Sequence, residues 1–127
     1  MIPVKEVEQI HELLINTFGG SHGIRDLPAL ESALARPFQT FQEKELYTTV
    51  VGKAAALIES ILVNHPFIDG NKRTGYVVTR LFVINSGFDI NASQDEKYEF
   101  VMKIASGKID FDQIAEWLSK HLTGIGT

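Results

Sequence analysis

The sequence predicts an all-α fold, a single-domain bundle of about six helices that spans residues 1–127. Apolar residues recur every three or four positions over most of the chain, which is the spacing of one buried helix face. Glycine, proline and capping residues interrupt that spacing and mark the helix ends. A chain of this length can bury one hydrophobic core, and no repeat or linker indicates a second domain.

The first two helices are predicted from their ends. Residues 4–18 carry the first helical pattern, and a Gly-Gly pair ends it. Asp26 can cap a second helix, which Pro37 stops. Residues 38–46 lose the helical spacing and include Phe and Thr, which favours a loop or a small β-hairpin.

The two helices in the middle of the chain are the most apolar. The third is predicted to begin at Thr48 or Thr49 and to end near His65, because the residue before a proline disfavours helical geometry. The fourth begins within residues 71–74 and stops near Gly87. Because the fourth is apolar on nearly every side, it is predicted to be the central buried helix.

Two capping boxes predict the last two helices. Ser93 with Glu96 opens the fifth helix, and Asp110 with Gln113 opens the sixth, which runs through residue 122. In such a box the first residue accepts from the backbone N–H of the fourth, and the fourth side chain returns the contact.

Composition limits the environment and the partners. The chain has 12 Lys and Arg against 16 Asp and Glu, a net charge of −4, so no global basic field attracts nucleic acid or an anionic membrane. It has no cysteine, which excludes disulfides and fits a reducing cytoplasm. The N-terminus lacks the apolar run of a signal peptide, and no apolar run is long enough to span a membrane. We expect a soluble cytoplasmic protein.

The segment His65-Pro66-Phe67-Ile68-Asp69-Gly70-Asn71-Lys72-Arg73-Thr74-Gly75 is the most informative part of the chain. It joins the end of one helix to the start of the next. The first backbone N–H groups of a helix have no partner within it, and with the helix dipole they form an anion site. Gly70 permits a positive φ and a close backbone approach.

Four side chains of this segment add chemistry suited to phosphate groups. Lys72 and Arg73 put positive charge at the helix N-terminus. Asp69 is a hard oxygen ligand that could share a Mg²⁺ with phosphates, and His65 could accept a proton from a hydroxyl. Each alone has a commoner structural role, as a helix cap, a turn or a solvated pair. Their combination favours a phosphate site.

Residues 65–73 match the Fic/Doc signature His-Pro-Phe-x-[Asp/Glu]-Gly-Asn-[Gly/Lys]-Arg throughout. The chain resembles most closely the Doc (death-on-curing) branch, which residues 23–37 also resemble. The resemblance implies a Fic fold and an ATP- and Mg²⁺-dependent enzyme. The roles it implies are a general base at His65, a metal ligand at Asp69, and nucleotide contacts at Gly70, Asn71, Lys72 and Arg73.

Two positions depart from the pattern of Fic enzymes that transfer AMP. Those enzymes usually carry Gly where this chain has Lys72, and a second Arg where it has Tyr76. In Doc-like proteins the corresponding Lys accompanies a reversed nucleotide that presents its γ-phosphate. The resemblance therefore implies phosphoryl transfer to a Ser or Thr hydroxyl of a protein, with a translation elongation factor as the expected target. AMP transfer and a non-catalytic nucleotide- or partner-binding module are the alternatives.

The resemblance also bears on target docking and control. Residues 38–47 occupy the place of the Fic flap, where an extended target segment would pair, although an ordinary loop covering the core is the alternative. The sequence contains no [Ser/Thr]-x-x-x-Glu-[Gly/Asn] string, with which many Fic proteins inhibit themselves. A separate antitoxin is therefore predicted as a partner.

Overall fold

The computed structural model describes residues 2–126; residues 1 and 127 of the predicted domain lie outside them. The helices in this range are α1 (Val4–Phe18), α2 (Leu27–Ala35), α3 (Val50–Asn64), α4 (Asn71–Asn85), α5 (Gln94–Ala105) and α6 (Phe111–His121). The strands are β1 (Thr40–Phe41), β2 (Lys44–Glu45), β3 (Phe88–Ile90) and β4 (Leu122–Gly124). The predicted all-α bundle with a short hairpin is confirmed.

Four of the predicted helix starts, those of α2, α3, α5 and α6, are confirmed by side-chain caps. The Asp26 carboxylate accepts from the Ala29 N–H at 3.0 Å and begins α2. Thr49, not Thr48, caps α3. Both capping boxes form, because the side chain of each N-cap and of its partner three residues later accepts a backbone N–H. These ends are set by groups within four residues of one another, which is why the sequence reveals them.

The central helix is α3, so the prediction that α4 is central was wrong. Eight of the fifteen α3 residues are buried, and α3 packs against α2, α4, α5 and α6. On α4, by contrast, Leu81 is 43% exposed and Arg80 lies on the surface. Residues 54–56 of α3 are three buried alanines, and short side chains let neighbouring helices approach closely. The distribution of apolar residues around α4 therefore did not indicate which helix the others surround.

Two hydrophobic clusters meet on α3. Ile58 and Leu62 face the cluster built with α4, α5 and α6, while Leu57 and Ile61 face the cluster built with α1, α2 and Phe67. Where α3 ends and α4 begins, the helices pack tightly. A Cβ on Gly75 would lie 3.0 Å from a Leu62 methyl. The close packing of the two helices at this point fixes the distance between their ends, which the segment joining them has to cross.

Two small antiparallel sheets complete the structure. β1 and β2 form the hairpin that the sequence allowed, and both turn residues, Gln42 and Glu43, have positive φ. β3 pairs with β4, which was not predicted. The sixth helix accordingly ends at His121, and Leu122 opens β4. Within residues 2–126, no helix combines the length and apolar character needed to cross a bilayer.

Candidate active site

The segment 65–70, between α3 and α4, begins with an unusual backbone conformation. His65 is left-handed, with φ 48° and ψ 59°, and it precedes Pro66. A non-glycine residue pays about 1–2 kcal/mol for this geometry, and a following proline also favours extended backbone instead. Contacts outside the segment therefore have to hold it. His65 is exposed, and it lines a cleft.

Residues 24–26, just before α2, form backbone hydrogen bonds with this connection and stabilise it. Ile24 and Phe67 form an antiparallel bridge. The Pro66 carbonyl accepts from the N–H groups of Arg25 and Asp26 at 2.8 and 3.1 Å. The conformation of the connection is thus fixed by residues some forty positions earlier in the chain.

Asn71 closes the connection through its side chain. Its Oδ1 accepts from the Phe67 N–H, and its Nδ2 donates to the Phe67 carbonyl, both at 2.9 Å. Phe67 itself is 1% exposed and anchors the connection in the core. With the amide engaged on both sides, the group of Asn71 that remains for a phosphate is its backbone N–H.

Asp69 is held as an ionised carboxylate. Its Oδ2 accepts from the Ser21 N–H at 3.1 Å and its Oδ1 from the Gly70 N–H at 2.8 Å. These two backbone hydrogen bonds lower the pKa of Asp69 below its ordinary value. A Cβ on Gly20 would lie 2.7 Å from Oδ2, so the backbone can approach the carboxylate only because residue 20 is glycine.

His11, which the sequence did not single out, supports the same residue from beneath. It is 3% exposed and stacks on Phe67 with ring centroids 3.9 Å apart. Its Nε2 lies 2.7 Å from the Asp69 carbonyl oxygen. Because a carbonyl only accepts, Nε2 is the protonated nitrogen in this contact. No local motif announces it, because the partners are 58 residues apart.

The N-terminus of α4 is open. Gly70 is its N-cap, with φ 75°, and no side chain caps this end. The Thr74 N–H already bonds to the Gly70 carbonyl at 3.0 Å, which leaves the N–H groups of residues 71–73 at the positive end of the dipole. Lys72 and Arg73 are exposed beside them. The Arg73 guanidinium lies 4.3 Å above the Phe18 ring centroid.

A cleft of about 540 Å³ brings the predicted residues together. Its lining includes all six predicted site residues, namely His65, Asp69, Gly70, Asn71, Lys72 and Arg73. The volume lies within the range of sites for small ligands. The arrangement places an imidazole, a carboxylate, two cations and a helix N-terminus around one space.

The opposite wall of the cleft comes from α5 and was not predicted. It presents Lys97, Tyr98 and Met102, among others, to the motif. The Lys97 ammonium lies 6.0 Å from the centroid of the Tyr76 ring and adds a third cation. These residues are at least 20 positions from the motif, and only the packing of α5 beside α4 makes them part of the site.

Tyr76 occupies the cleft position at which the AMP-transferring pattern has an arginine. Its side chain is half-buried, and its hydroxyl has no hydrogen-bond partner within residues 2–126. Burial raises the pKa of Tyr76, so the side chain is neutral near pH 7. This part of the cleft therefore has a neutral ring where an arginine would supply charge.

The carboxylate chemistry fits a magnesium ion that is shared with a ligand. Among the described residues, no group of three or more His, Cys, Asp or Glu side chains could hold a metal ion. Mg²⁺ commonly takes one or two carboxylates together with substrate phosphates and water. Asp69 is ionised and lines the same cleft as Lys72, Arg73 and the open N-terminus of α4, so it suits this arrangement.

A helical bundle with an open helix N-terminus and two cations beside a histidine has a cleft of the kind that suits an anionic ligand. The chain belongs to the Fic/Doc family, because the family model described as "Fic/DOC family" matches residues 1–83. It is also 36% identical over 104 residues to "Toxin Doc" of Mycolicibacterium smegmatis, a match that covers 80% of each chain. The family membership indicates a nucleotide-dependent transferase.

Proposed function

We propose that this chain is a toxin-like protein kinase that transfers the γ-phosphoryl group of ATP to a Ser or Thr hydroxyl of a protein. The observation that carries the proposal is the single cleft that contains His65, Asp69 and the open N-terminus of α4. Phosphoryl transfer asks mainly for positioning and charge neutralisation, and this cleft offers groups for both.

The phosphates bind at the start of α4. The N–H groups of residues 71–73 and the helix dipole attract them without any side chain. Arg73 adds a planar fork suited to two phosphate oxygens, and Lys72 adds a mobile point charge. Asp69 would hold a Mg²⁺ shared with the phosphates, and that ion supplies further neutralisation of negative charge when bound.

His65 acts as the general base. The target hydroxyl oxygen forms a bond to the γ-phosphorus, and the bond from that phosphorus to the oxygen bridging to the β-phosphate breaks. ADP leaves with the electron pair of the broken bond, and the hydroxyl proton passes to the His65 ring. The exposure of His65 beside the phosphate-binding groups supports this role.

The choice of the γ-phosphate rests on Lys72 and Tyr76. Lys72 replaces the glycine of the AMP-transferring pattern and adds bulk and charge where the nucleotide would seat. The neutral Tyr76 ring lines the cleft where that pattern supplies a second arginine. AMP transfer to a protein hydroxyl is the second candidate, because the rest of the motif is common to both reactions.

Two labelled forms of ATP separate these reactions. The protein is incubated with cell extract, Mg²⁺ and ATP labelled at either the α- or the γ-phosphorus, alongside His65→Ala and the matched control His22→Ala. His22 is an exposed histidine outside this cleft. We expect label from the γ position alone, in the wild type and in His22→Ala but not in His65→Ala. Label from the α position alone would instead establish AMP transfer.

The toxin assignment rests on family membership and on the relative named Toxin Doc. We infer a target in protein synthesis, with a translation elongation factor as the leading candidate, and control by a separate antitoxin. Mass spectrometry of the labelled protein identifies the target. Robust growth on overexpression of soluble, intact protein without a partner counts against the toxin assignment. Growth arrest that survives His65→Ala, together with no label transfer by the wild type, would favour a non-catalytic binding module.

We infer further that residues 38–47 dock the target. Arg36 Nε donates to the Tyr47 hydroxyl at 3.1 Å, which ties the two ends of this hairpin together, and Phe41 at its tip is 66% exposed. We expect Phe41→Ser to raise KM for the target protein without changing the affinity for Mg-ATP. Leu81→Ser, on the exposed side of α4, is the control. An unchanged KM in Phe41→Ser would leave the hairpin as a cover for the core.

A further inference from the structure

We propose that Arg25 is a positioning residue that holds the His65 backbone in the left-handed conformation and so aims the imidazole into the cleft. The inference rests on the proposed function, in which His65 is the general base. It concerns a residue outside the motif that contacts no reacting atom. The contacts that support it join two segments that are distant in sequence.

The Arg25 guanidinium donates two hydrogen bonds to the C-terminal end of α3. Its Nε donates to the His65 carbonyl and its Nη2 donates to the Asn64 carbonyl, both at 2.7 Å. Hydrogen bonds from a charged donor are short and strong, and a cation is favoured where the helix dipole is negative. One planar fork thus joins the two carbonyls that flank the His65 backbone torsions.

This helix end needs an outside donor. A helix that ends in a left-handed residue usually satisfies its last carbonyls with the N–H groups of the residues that follow. Here the next residue is Pro66, which has no N–H, and which also disfavours the conformation that His65 adopts. The His65 N–H still bonds to the Ile61 carbonyl at 3.2 Å. The Asn64 and His65 carbonyls accept from Arg25 instead.

The backbone of Arg25 is also hydrogen-bonded to segment 65–70, which fixes its position. Its backbone N–H donates to the Pro66 carbonyl at 2.8 Å, so its main chain and its side chain hold opposite sides of the bond between His65 and Pro66. The neighbouring Asp26 caps α2. The start of α2 is therefore the fixed support from which the guanidinium reaches His65.

A positioning role and a merely structural role predict different results for Arg25→Ala. Arg25 is exposed, so its removal opens no cavity and strands no buried charge. We expect thermal stability close to that of the wild type. A displaced base, however, slows the chemical step, and a shift of about 1 Å in a reacting group can cost roughly a hundredfold. The expected signature is a kcat lowered by about ten- to a hundredfold with the Mg-ATP affinity unchanged.

The experiment compares the wild type with Arg25→Ala, Arg25→Lys and Arg80→Ala. The last is the matched control, since the Arg80 guanidinium also makes two hydrogen bonds, but to Asp89 and away from the connection. Transfer of γ-label gives kcat and KM, calorimetry gives the Mg-ATP affinity, and the backbone HN–Hα coupling of His65 by NMR reports its φ. We expect Arg25→Lys, with one donor in place of a fork, to fall between the wild type and Arg25→Ala. Millimolar guanidinium should restore part of the activity of Arg25→Ala and none of that of His65→Ala.

The outcomes separate this inference from the proposed function. If the wild type transfers label and Arg25→Ala does so equally fast, the inference is wrong and the proposed function stands. If the wild type transfers none, the proposed function fails and the His65 coupling decides the role of Arg25 by itself. A His65 that stays left-handed in Arg25→Ala overturns the inference in either case. A parallel loss of kcat and melting temperature, absent from Arg80→Ala, would reduce Arg25 to a structural residue.

Discussion

Gly70→Ala should damage the phosphate site more than it damages the fold. Gly70 has φ 75° and ψ 19°, a conformation that costs a residue with a Cβ about 1 kcal/mol or slightly more. The added Cβ would lie 3.0 Å from the Ile15 Cδ1 and 3.7 Å from the His11 Nε2. The Ile15 contact is with the end of a flexible side chain, which can move aside, so the backbone strain is the larger cost. We expect a loss of about 1–2 kcal/mol and a melting temperature lower by about 4–7 °C.

Gly87→Ala is the matched control for this prediction. Gly87 has φ 95°, so an alanine meets similar backbone strain, but its Cβ would have no neighbour within 4 Å, and it lies beyond the far end of α4. Urea unfolding and calorimetry with Mg-ATP are run on both variants. We expect comparable losses of stability, and a weakened Mg-ATP affinity in Gly70→Ala alone. Unchanged affinity in Gly70→Ala, or an equal loss in Gly87→Ala, refutes the reasoning.

Three further predictions concern individual side chains. The backbone hydrogen bonds that lower the pKa of Asp69 stabilise the fold fully above its ordinary value near 3.8, and this contribution is lost as pH falls through the lowered pKa. The urea stabilities of the wild type and Asp69→Asn should therefore differ at neutral pH and converge in strong acid. Phe18→Ala removes a cation–π contact with Arg73 worth about 0.5–1 kcal/mol. Calorimetry should therefore show a roughly two- to fivefold loss of Mg-ATP affinity. Lys72→Gly combined with Tyr76→Arg restores the AMP-transferring pattern and should raise the transfer of α-label relative to γ-label.

A constant difference between the Asp69→Asn and wild-type stabilities at all pH values would show that the carboxylate does not titrate with folding. Leu13→Ala removes another exposed apolar side chain of α1 and should leave the Mg-ATP affinity unchanged. An equal loss in that variant would assign the Phe18 effect to α1 in general. If the double variant transfers γ-label as before, Lys72 and Tyr76 do not select the phosphate.

Local chemistry made much of this fold predictable from sequence. The caps at Asp26, Ser93 and Asp110 form within single turns of the chain, and the structure contains each of them. The motif was equally readable, because residues 65–73 are consecutive and their helix–turn–helix context follows from Pro66 and Gly70. In these cases the interacting groups are close in sequence, so spacing alone carries the information.

Features that depend on distant contacts were not predictable. The pairing of β3 with β4 joins three-residue strands more than thirty residues apart, and neither strand shows an alternating pattern of its own. The support of Asp69 by His11 and the grip of Arg25 on His65 likewise join different parts of the chain. The wall that α5 adds to the cleft follows from helix packing. Such contacts form only when the helices and strands pack together. A single sequence does not show which residues of one element lie against which residues of another.

The amides that Mg-ATP contacts test the proposed phosphate site at the start of α4 most directly. A non-hydrolysable ATP analogue with Mg²⁺ is titrated into ¹⁵N-labelled protein, and the backbone amide signals are followed. We expect the largest changes at residues 71–73, whose N–H groups open into the cleft at the α4 N-terminus. Saturable binding that leaves these three amides unmoved while others shift would contradict the account.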